Sequence, residues 1–194
     1  MAMRQRCRCL YLHLKARSIP FQMKKLIIFM CLLLFFIQAQ AQINGLPKVL
    51  LRKLDGSKIY ASELGNHGKP FIISFWATWC KFCLSGLNTI STTYSRWREE
   101  TGVKLIAIST DRETKEGFVK SFVQKRKWPY EIYIDYKKGL YQHFKIREVP
   151  HTLIIDNNGQ ILWQKIGFNP GDEAEIIQAY RQITSPNLNN IKHE

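Results

Sequence analysis

Cysteine is scarce in most of this sequence, and its scarcity limits what the protein can be. Three of the five cysteines, Cys7, Cys9 and Cys31, fall within the first 41 residues, so only Cys80 and Cys83 remain in the rest of the chain. One close pair is not a disulfide framework, and a domain of this length buries enough apolar surface to fold without one. The short loop that it closes also constrains the unfolded chain very little. We therefore interpret the pair as a working redox couple.

Acidic residues are also few, since 15 Asp and Glu stand against 29 Lys and Arg. Residues 1–41 hold seven of the basic residues and no acidic one, which leaves 22 basic and 15 acidic residues in the remainder. That remainder has no basic stripe with interleaved aromatics, so nucleic-acid binding is not predicted. We interpret the remaining excess as a solvated basic surface, with an anionic partner or a membrane surface as the alternatives.

Long apolar runs are missing as well. The longest, Leu26–Ile37, has 12 residues, which is too few to span a bilayer as a helix. It follows Lys24 and Lys25 and precedes Ala39-Gln40-Ala41, a small-x-small pattern. A charged start, a short apolar run and small residues at a cleavage position are together typical of a secretory signal peptide.

We therefore predict a leader over 1–41, with the signal peptide at 23–41, and one domain over 42–194. Cleavage near Ala41 leaves a periplasmic or otherwise exported protein that meets the membrane only through its signal segment. Met23 is a second candidate start. If translation begins there, residues 1–22 are not part of the protein; otherwise they are an unusually long n-region.

Apolar strands and helices alternate after the leader. Phe71–Ala77 and Val103–Ser109 are almost wholly apolar, as expected for strands covered on both faces. The pattern predicts further strands at Lys48–Leu54, Ser57–Tyr60, Glu131–Ile134, Thr152–Ile155 and Ile161–Ile166, and helices from Cys80 to Glu100 and over Lys115–Lys127, Gly139–Phe144 and Asp172–Ile183. Alternating strands and helices, closed by a hairpin and a helix, predict an α/β fold with a mixed sheet.

The segment Cys80-Lys81-Phe82-Cys83 lies where the strand Phe71–Ala77 gives way to a helix. The carboxyl end of a strand is where open α/β sheets place their sites. At a helix start, the first sulfur lies near unpaired N–H groups, which favour its thiolate, and Lys81 adds a positive charge. We therefore predict that Cys80 attacks a disulfide and that Cys83 resolves the mixed disulfide.

Other uses of a close cysteine pair fit less well. Structural or catalytic zinc needs three or four protein ligands, and no histidine has metal-ligand spacing to the pair, so no metal is predicted. Covalent haem attachment requires a histidine after the second cysteine, where Leu84 stands. A thiol peroxidase remains the alternative enzyme, although no P-x-x-x-T-x-x-C pattern surrounds either cysteine. A copper- or zinc-binding delivery module using Cys80, Cys83 and His151 is the alternative outside enzymes.

Two segments resemble the thioredoxin superfamily. Phe75–Cys83 is similar to its active-site signature, most closely in the exported TlpA/ResA-like branch. Val149–Thr152, followed by an apolar strand and Gly159, resembles the cis-proline loop and hairpin of that family. The 67 residues from Cys83 to Pro150 exceed the spacing in thioredoxin proper by about one strand–helix unit, which the segment 115–134 supplies.

The resemblance implies a thioredoxin-like fold, with a central mixed sheet flanked by helices, an N-terminal β extension and an extra strand–helix insertion. It implies a protein-disulfide reductase without a cofactor, which exchanges its cysteine pair with cysteines of exported proteins and receives electrons from a membrane thiol donor. It also implies that Pro150 is cis beside the pair, and that the backbone of Val149 is free to pair with an extended substrate.

Trp79 flanks the motif, and we predict that it packs over the active site and forms part of the substrate surface. Lys81 and Phe82 are predicted to bind substrate or support the site. His151 stands where threonine is common; near the thiolate it would act as a proton donor or pH-sensitive partner, and the plainer alternative is an exposed loop side chain. Ser74 stands where thioredoxin proper has a buried aspartate, which leaves the proton acceptor for Cys83 unassigned. Lys81-Phe82 replaces the more usual Gly-Pro or Pro-Pro, so the direction of electron flow is open.

Overall fold

The structure is a computed structural model, and it describes residues 45–185. The predicted leader over 1–41, its signal peptide and the cleavage position near Ala41 all lie outside these residues. Among the helices of residues 45–185, none has both the length and the apolar character needed to cross a membrane.

A single seven-stranded sheet forms the centre of the described domain, in the order β2-β1-β5-β4-β3-β6-β7. Strands β3, β4 and β5 are parallel, whereas β1, β2, β6 and β7 join antiparallel to their neighbours. The predicted mixed sheet is therefore confirmed. The strands are β1 (Leu50–Lys53), β2 (Lys58–Tyr60), β3 (Phe71–Trp76), β4 (Leu105–Ser109), β5 (Glu131–Ile134), β6 (His151–Ile155) and β7 (Ile161–Ile166).

Four α-helices cover the sheet, and the longest follows the cysteine motif. They are α1 (Lys81–Thr101), α2 (Glu116–Arg126), α3 (Gly139–His143) and α4 (Asp172–Thr184). The buried side chains of α1 recur at helical spacing, and the helix ends where Gly102 adopts a left-handed φ of 68°. Because α1 and α2 both connect parallel neighbouring strands in the same direction across the sheet, right-handed crossovers place them on one face.

The two faces of the sheet bury separate clusters. The first, called the α1 face below, packs Ile72 and Trp76 of β3 against α1, α2 and α4 and contains both cysteines. The second, called the α3 face, packs Phe71, Ile73 and Phe75 of the same strand against α3 and the segment that follows it. All six residues of β3 are buried, which explains its almost uninterrupted apolar sequence.

The N-terminal strands extend the sheet beyond the insertion. Strand β1 pairs with β2 and also with β5, the strand that the insertion contributes. Arg52 on β1 forms ion pairs with Glu113, at 2.6 Å, and with Glu116 at the start of α2. The predicted N-terminal β extension and the predicted strand–helix insertion are both present, and they contact each other.

Candidate active site

Cys80 and Cys83 lie at the start of α1 and are joined by a disulfide, with an S–S distance of 2.06 Å. Cys80 is the N-cap residue, so it keeps an extended backbone, while Cys83 lies inside the first helical turn. Cys83 is 1% exposed and Cys80 is 7% exposed. An incoming disulfide therefore reaches the sulfur of Cys80 before that of Cys83.

The backbone at the helix start is directed at the first sulfur. The N–H of Cys83 donates to Sγ of Cys80 over 3.1 Å. The first N–H groups of a helix have no partner within the helix, and the positive end of the helix dipole lies beside them. A thiolate at Cys80 would accept the same hydrogen bond, so this geometry favours the charged form of Cys80.

The loop before β6 lies against the cysteine pair. The Val149–Pro150 peptide bond is cis, as the resemblance implied. The carbonyl oxygen of Val149 is 3.6 Å from Sγ of Cys80, and the carbonyl of Pro150 accepts the N–H of Gly167 over 2.8 Å. Within residues 45–185, neither the N–H nor the C=O of Val149 has a backbone hydrogen-bond partner. An extended peptide can therefore pair with this residue beside the disulfide.

The side chains around the disulfide are exposed. Trp79 is 73% exposed and Phe82 is 67% exposed, and Lys81 between the cysteines also points to solvent. Two grooves flank Trp79. One, of about 520 Å³, is lined by Trp79 and Phe118, and the other, of about 490 Å³, by Trp79 and Val149. Their roles in substrate binding stay predictions, but an exposed indole between two grooves is a suitable surface for an apolar partner.

The grooves beside the cysteine pair are not distinguished from other grooves by their volume. A larger groove, about 920 Å³, is lined by Pro70 and Tyr180 among others. Pro70 directly precedes β3, whereas the cysteines follow the other end of that strand. The smaller grooves beside Trp79 are therefore the ones that adjoin reactive atoms.

Asp111 anchors the turn that carries the cysteine motif. Its buried carboxylate accepts the N–H of Thr78 at 2.9 Å, the hydroxyl of Thr78 at 2.8 Å and the hydroxyl of Ser109 at 2.8 Å. It thereby ties the end of β4 to the residues before Cys80. Nothing in the local sequence pattern identified Thr78, which lies 33 residues away, as the partner of Asp111.

His151 does not face the disulfide, so the expectation that it lies near the thiolate is wrong. His151 is directly opposite Phe75 in the β3–β6 ladder, and the phenyl ring of Phe75 packs on the α3 face. The imidazole of His151 therefore lies on the α3 face as well. The next pair along, Ser74 and Thr152, points to the α1 face, where the two hydroxyls are 3.2 Å apart. The imidazole is 5% exposed, not an exposed loop side chain, and its Nε2 lies 3.2 Å from Oε1 of Gln164.

The environment of His151 is mostly apolar. Burial lowers its pKa below the usual value of 6.5, and the hydrogen bond to Gln164 and the charge of Glu148 only partly oppose that shift. Its Nδ1 has no hydrogen-bond partner among the described residues. The neutral imidazole is therefore the form that this pocket accommodates.

A metal centre finds little support in this geometry. Within residues 45–185 there is no group of three or more His, Cys, Asp and Glu side chains that could hold a metal ion. The delivery-module alternative needed His151 as a third ligand beside Cys80 and Cys83. Because His151 lies on the opposite face of the sheet, that ligand set does not form.

The comparison with family models decides the family. Residues 44–164, more than half of the chain, match the model described as the AhpC/TSA family. The chain belongs to the AhpC/TSA family. Within that family its fold is thioredoxin-like, as the mixed sheet, the motif at the start of α1 and the cis-proline loop already indicated.

Several relatives of this AhpC/TSA family member are named thiol-disulfide oxidoreductases. It is 30% identical to the thiol-disulfide oxidoreductase ResA of Bacillus cereus over 140 residues, which is 72% of this chain and 76% of that relative. It is also similar to a solved structure of an uncharacterized thioredoxin-like protein from Porphyromonas gingivalis. That structure has a TM-score of 0.62 and 38% identity, over 71% of this chain and 90% of the other.

StoA from Bacillus subtilis is a further structural neighbour, with a TM-score of 0.54 and 22% identity over 69% of this chain and 98% of that one. At that identity it supports the thioredoxin-like fold alone. Together with the disulfide at the start of α1, the ResA relative establishes the activity. This AhpC/TSA family member is a thiol–disulfide oxidoreductase.

Proposed function

We propose that this oxidoreductase works outside the cytoplasm, after removal of its leader near Ala41, and that it reduces disulfides in other exported proteins. The single observation that carries the site assignment is the contrast between its two sulfurs. Cys80 is the more exposed and accepts the N–H of Cys83, whereas Cys83 is almost completely buried one turn inside the helix.

The proposed reaction has two exchange steps. The thiolate of Cys80 attacks a disulfide of the partner, forms a mixed disulfide with one partner sulfur and releases the other as a thiolate. The thiolate of Cys83 then attacks Sγ of Cys80, which closes the Cys80–Cys83 disulfide and releases the second partner thiol. Two electrons pass to the partner, and two protons complete its two thiols.

Regeneration requires a thiol donor that reduces the Cys80–Cys83 disulfide. The predicted signal segment directs the chain to the compartment beyond the membrane, so we propose a membrane thiol donor as the source of these electrons. The exposed face around Trp79, which serves the substrate, is also where such a donor would reach Cys80, because Cys83 is not accessible.

Trapping tests the assignment of the two cysteines. Cys83→Ser should accumulate mixed disulfides between Cys80 and partner proteins, since the resolving thiol is missing, and mass spectrometry identifies those partners. Cys80→Ser should trap nothing and should abolish reduction of insulin, because no other thiol in the described domain reaches a substrate. A Cys80→Ser protein with full activity contradicts the assignment.

The direction of electron flow is tested by the reduction potential of the Cys80–Cys83 pair. A value at or below about −200 mV supports a reductant, whereas a value near −120 mV is that of a strong oxidant and contradicts the proposal. Peroxide consumption, measured with the same reduced protein, tests the alternative thiol peroxidase. We expect none above the level of the Cys80→Ser variant.

A further inference from the structure

Four cations line the two grooves beside Trp79, and they come from three separate loops. They are called the basic rim below and comprise Arg112, Lys115, Lys138 and Arg147. All four are exposed. Lys81, also exposed, adds a fifth positive charge between the two cysteines.

The basic rim is not neutralised by the protein itself. Within residues 45–185, no member of the rim takes part in a salt bridge, whereas cations elsewhere do, such as Lys104 with Glu131 and Lys165 with Asp172. Glu113 and Glu116, which follow Arg112 and Lys115 in the sequence, are paired with Arg52 and do not neutralise the rim.

Two further carboxylates line the grooves, and they do not balance the rim. Asp111 is buried and accepts three hydrogen bonds from Thr78 and Ser109. Glu148 is the remaining acidic side chain among the lining residues. The surface around the disulfide therefore carries a clear positive excess in a concave region, where charges interact more strongly than on a flat surface.

We propose that the disulfide substrates of this enzyme are acidic polypeptide segments, in which Asp or Glu flanks the cysteine and an apolar side chain contacts Trp79. The proposal rests on the function proposed above and adds the chemistry of its substrate. Trp79 and Phe118 provide exposed apolar surface, and Val149 has backbone groups that can pair with an extended peptide. The basic rim provides the positive charge that acidic side chains would complement.

A polypeptide fits these features better than an anionic lipid surface does. The rim cations line two grooves that share the exposed indole of Trp79, and Val149, which lines the second groove, has its carbonyl oxygen 3.6 Å from Sγ of Cys80. A peptide can offer carboxylates, an apolar side chain, main-chain groups and a disulfide together. A lipid surface can supply negative charge and an apolar region for Trp79, but it has neither a disulfide nor main-chain groups to pair with Val149.

Three peptides of equal length test the proposal. Each carries one intramolecular disulfide flanked by Glu, Gln or Lys, and each is mixed with the reduced full domain in a stopped-flow experiment at low and high salt. Electrostatic steering raises association rates by about 10-fold or more at low ionic strength. We expect the Glu peptide to react about 10-fold faster than the Gln peptide, the Lys peptide to be slowest, and the differences to shrink at high salt.

Two double variants that each remove two positive charges distinguish an effect of the basic rim from an effect of the protein's net charge. Arg112→Gln/Arg147→Gln should slow the reaction with the Glu peptide by about three- to tenfold and change the Gln peptide less than about twofold. Lys120→Gln/Lys125→Gln removes the same charge from exposed positions of α2 that do not line the grooves, and should change neither rate.

Each remaining outcome is decisive. Equal rates for the three peptides, with the Gln peptide reduced normally, overturn the acidic substrate and leave the reductase function intact. Failure to reduce any peptide counts against the reductase function itself. Equal peptide rates together with rim-dependent binding to vesicles containing phosphatidylglycerol assign the basic rim to a lipid surface and overturn the proposal.

Discussion

The two faces of the central sheet carry different chemistry. On the α1 face lie the cysteine pair and the hydroxyl pair of Ser74 and Thr152. On the α3 face lie His151 and, at the end of β5, the buried Asp135, and burial shifts the pKa of both side chains. His151 and Asp135 are therefore separated from the sulfurs by the sheet itself.

Asp135 shows why the α3 face tolerates an acid. Its carboxylate accepts the N–H groups of Gly139 and Tyr141, at 2.9 and 2.8 Å, and so caps the short helix α3. Burial raises its pKa, and these backbone bonds oppose that shift. The α1 face instead buries the neutral hydroxyls of Tyr94 and Tyr130, which donate to backbone or accept from it. The α1 face thus buries tyrosine hydroxyls, whereas the α3 face buries an imidazole and a carboxylate.

The largest stability effect is expected on the α1 face, from Gly86→Ala. A Cβ atom at this position of α1 would lie 2.8 Å from the ring of Phe168, which is buried and cannot move away freely. We expect a loss of about 2–3 kcal/mol in the free energy of unfolding, measured with urea, because overpacking outweighs the gain in helix propensity. Gly117→Ala, in α2 with open space around its Cα, is the control and should not destabilise.

The second-largest loss of stability is expected on the α3 face, from Asp135→Ala. Two backbone N–H groups at the start of α3 lose their acceptor, and unsatisfied buried donors cost about 1–3 kcal/mol. We expect a loss of about 2 kcal/mol in the free energy of unfolding with the insulin-reduction rate of the folded protein unchanged. Asp135→Asn keeps one acceptor and should lose less. A variant that keeps its stability but loses activity would break the separation of the two faces.

The smallest expected effect is the contribution of His151, on the α3 face, to the pH dependence of the free energy of unfolding. Because burial lowers the pKa of His151, the unfolded chain binds its proton at higher pH than the folded chain does, so stability falls as pH drops below about 6.5. One such proton changes stability by at most about 1.4 kcal/mol per pH unit. The raised pKa of Asp135 has the opposite effect on stability as the pH falls. It does not disturb a comparison of wild type with a His151 variant, because both proteins contain Asp135.

The measurement is urea unfolding of wild type and His151→Leu at pH 7.5 and pH 5. We expect wild type to lose more stability than the variant over this interval. The rate of thiol–disulfide exchange at pH 7.5 should be the same for both, since His151 does not face Cys80. An equal loss of stability in both proteins, or a slower exchange rate in the variant, contradicts the placement of His151.

Sequence patterns predicted most of the fold because its signals are local. Strand β3 and helix α1 follow from an unbroken apolar run and from apolar residues at helical spacing, and the motif between them predicted the position of the cysteines. The cis bond at Pro150 came from a resemblance, since an isolated proline is usually trans.

The position of His151 could not be predicted in the same way. A shift of one residue in a strand moves every side chain to the other face of the sheet, and alternation of polar and apolar residues normally reveals the register. Strand β6 is buried on both faces, so its sequence shows no alternation. The anchor formed by Asp111 and the basic rim were missed for another reason: each joins residues that are distant in the sequence and that only the folded loops bring together.

The pairing of β1 with β5 links the two additions to the smaller thioredoxin fold. The insertion supplies β5, which would be an open sheet edge if nothing covered it, and open edges recruit other chains. The N-terminal hairpin covers that edge, and its Arg52 pairs with Glu113 and with Glu116 at the start of α2. The insertion and the hairpin are thus mutually dependent, and a chain that loses the hairpin would keep its cysteines yet become prone to self-association.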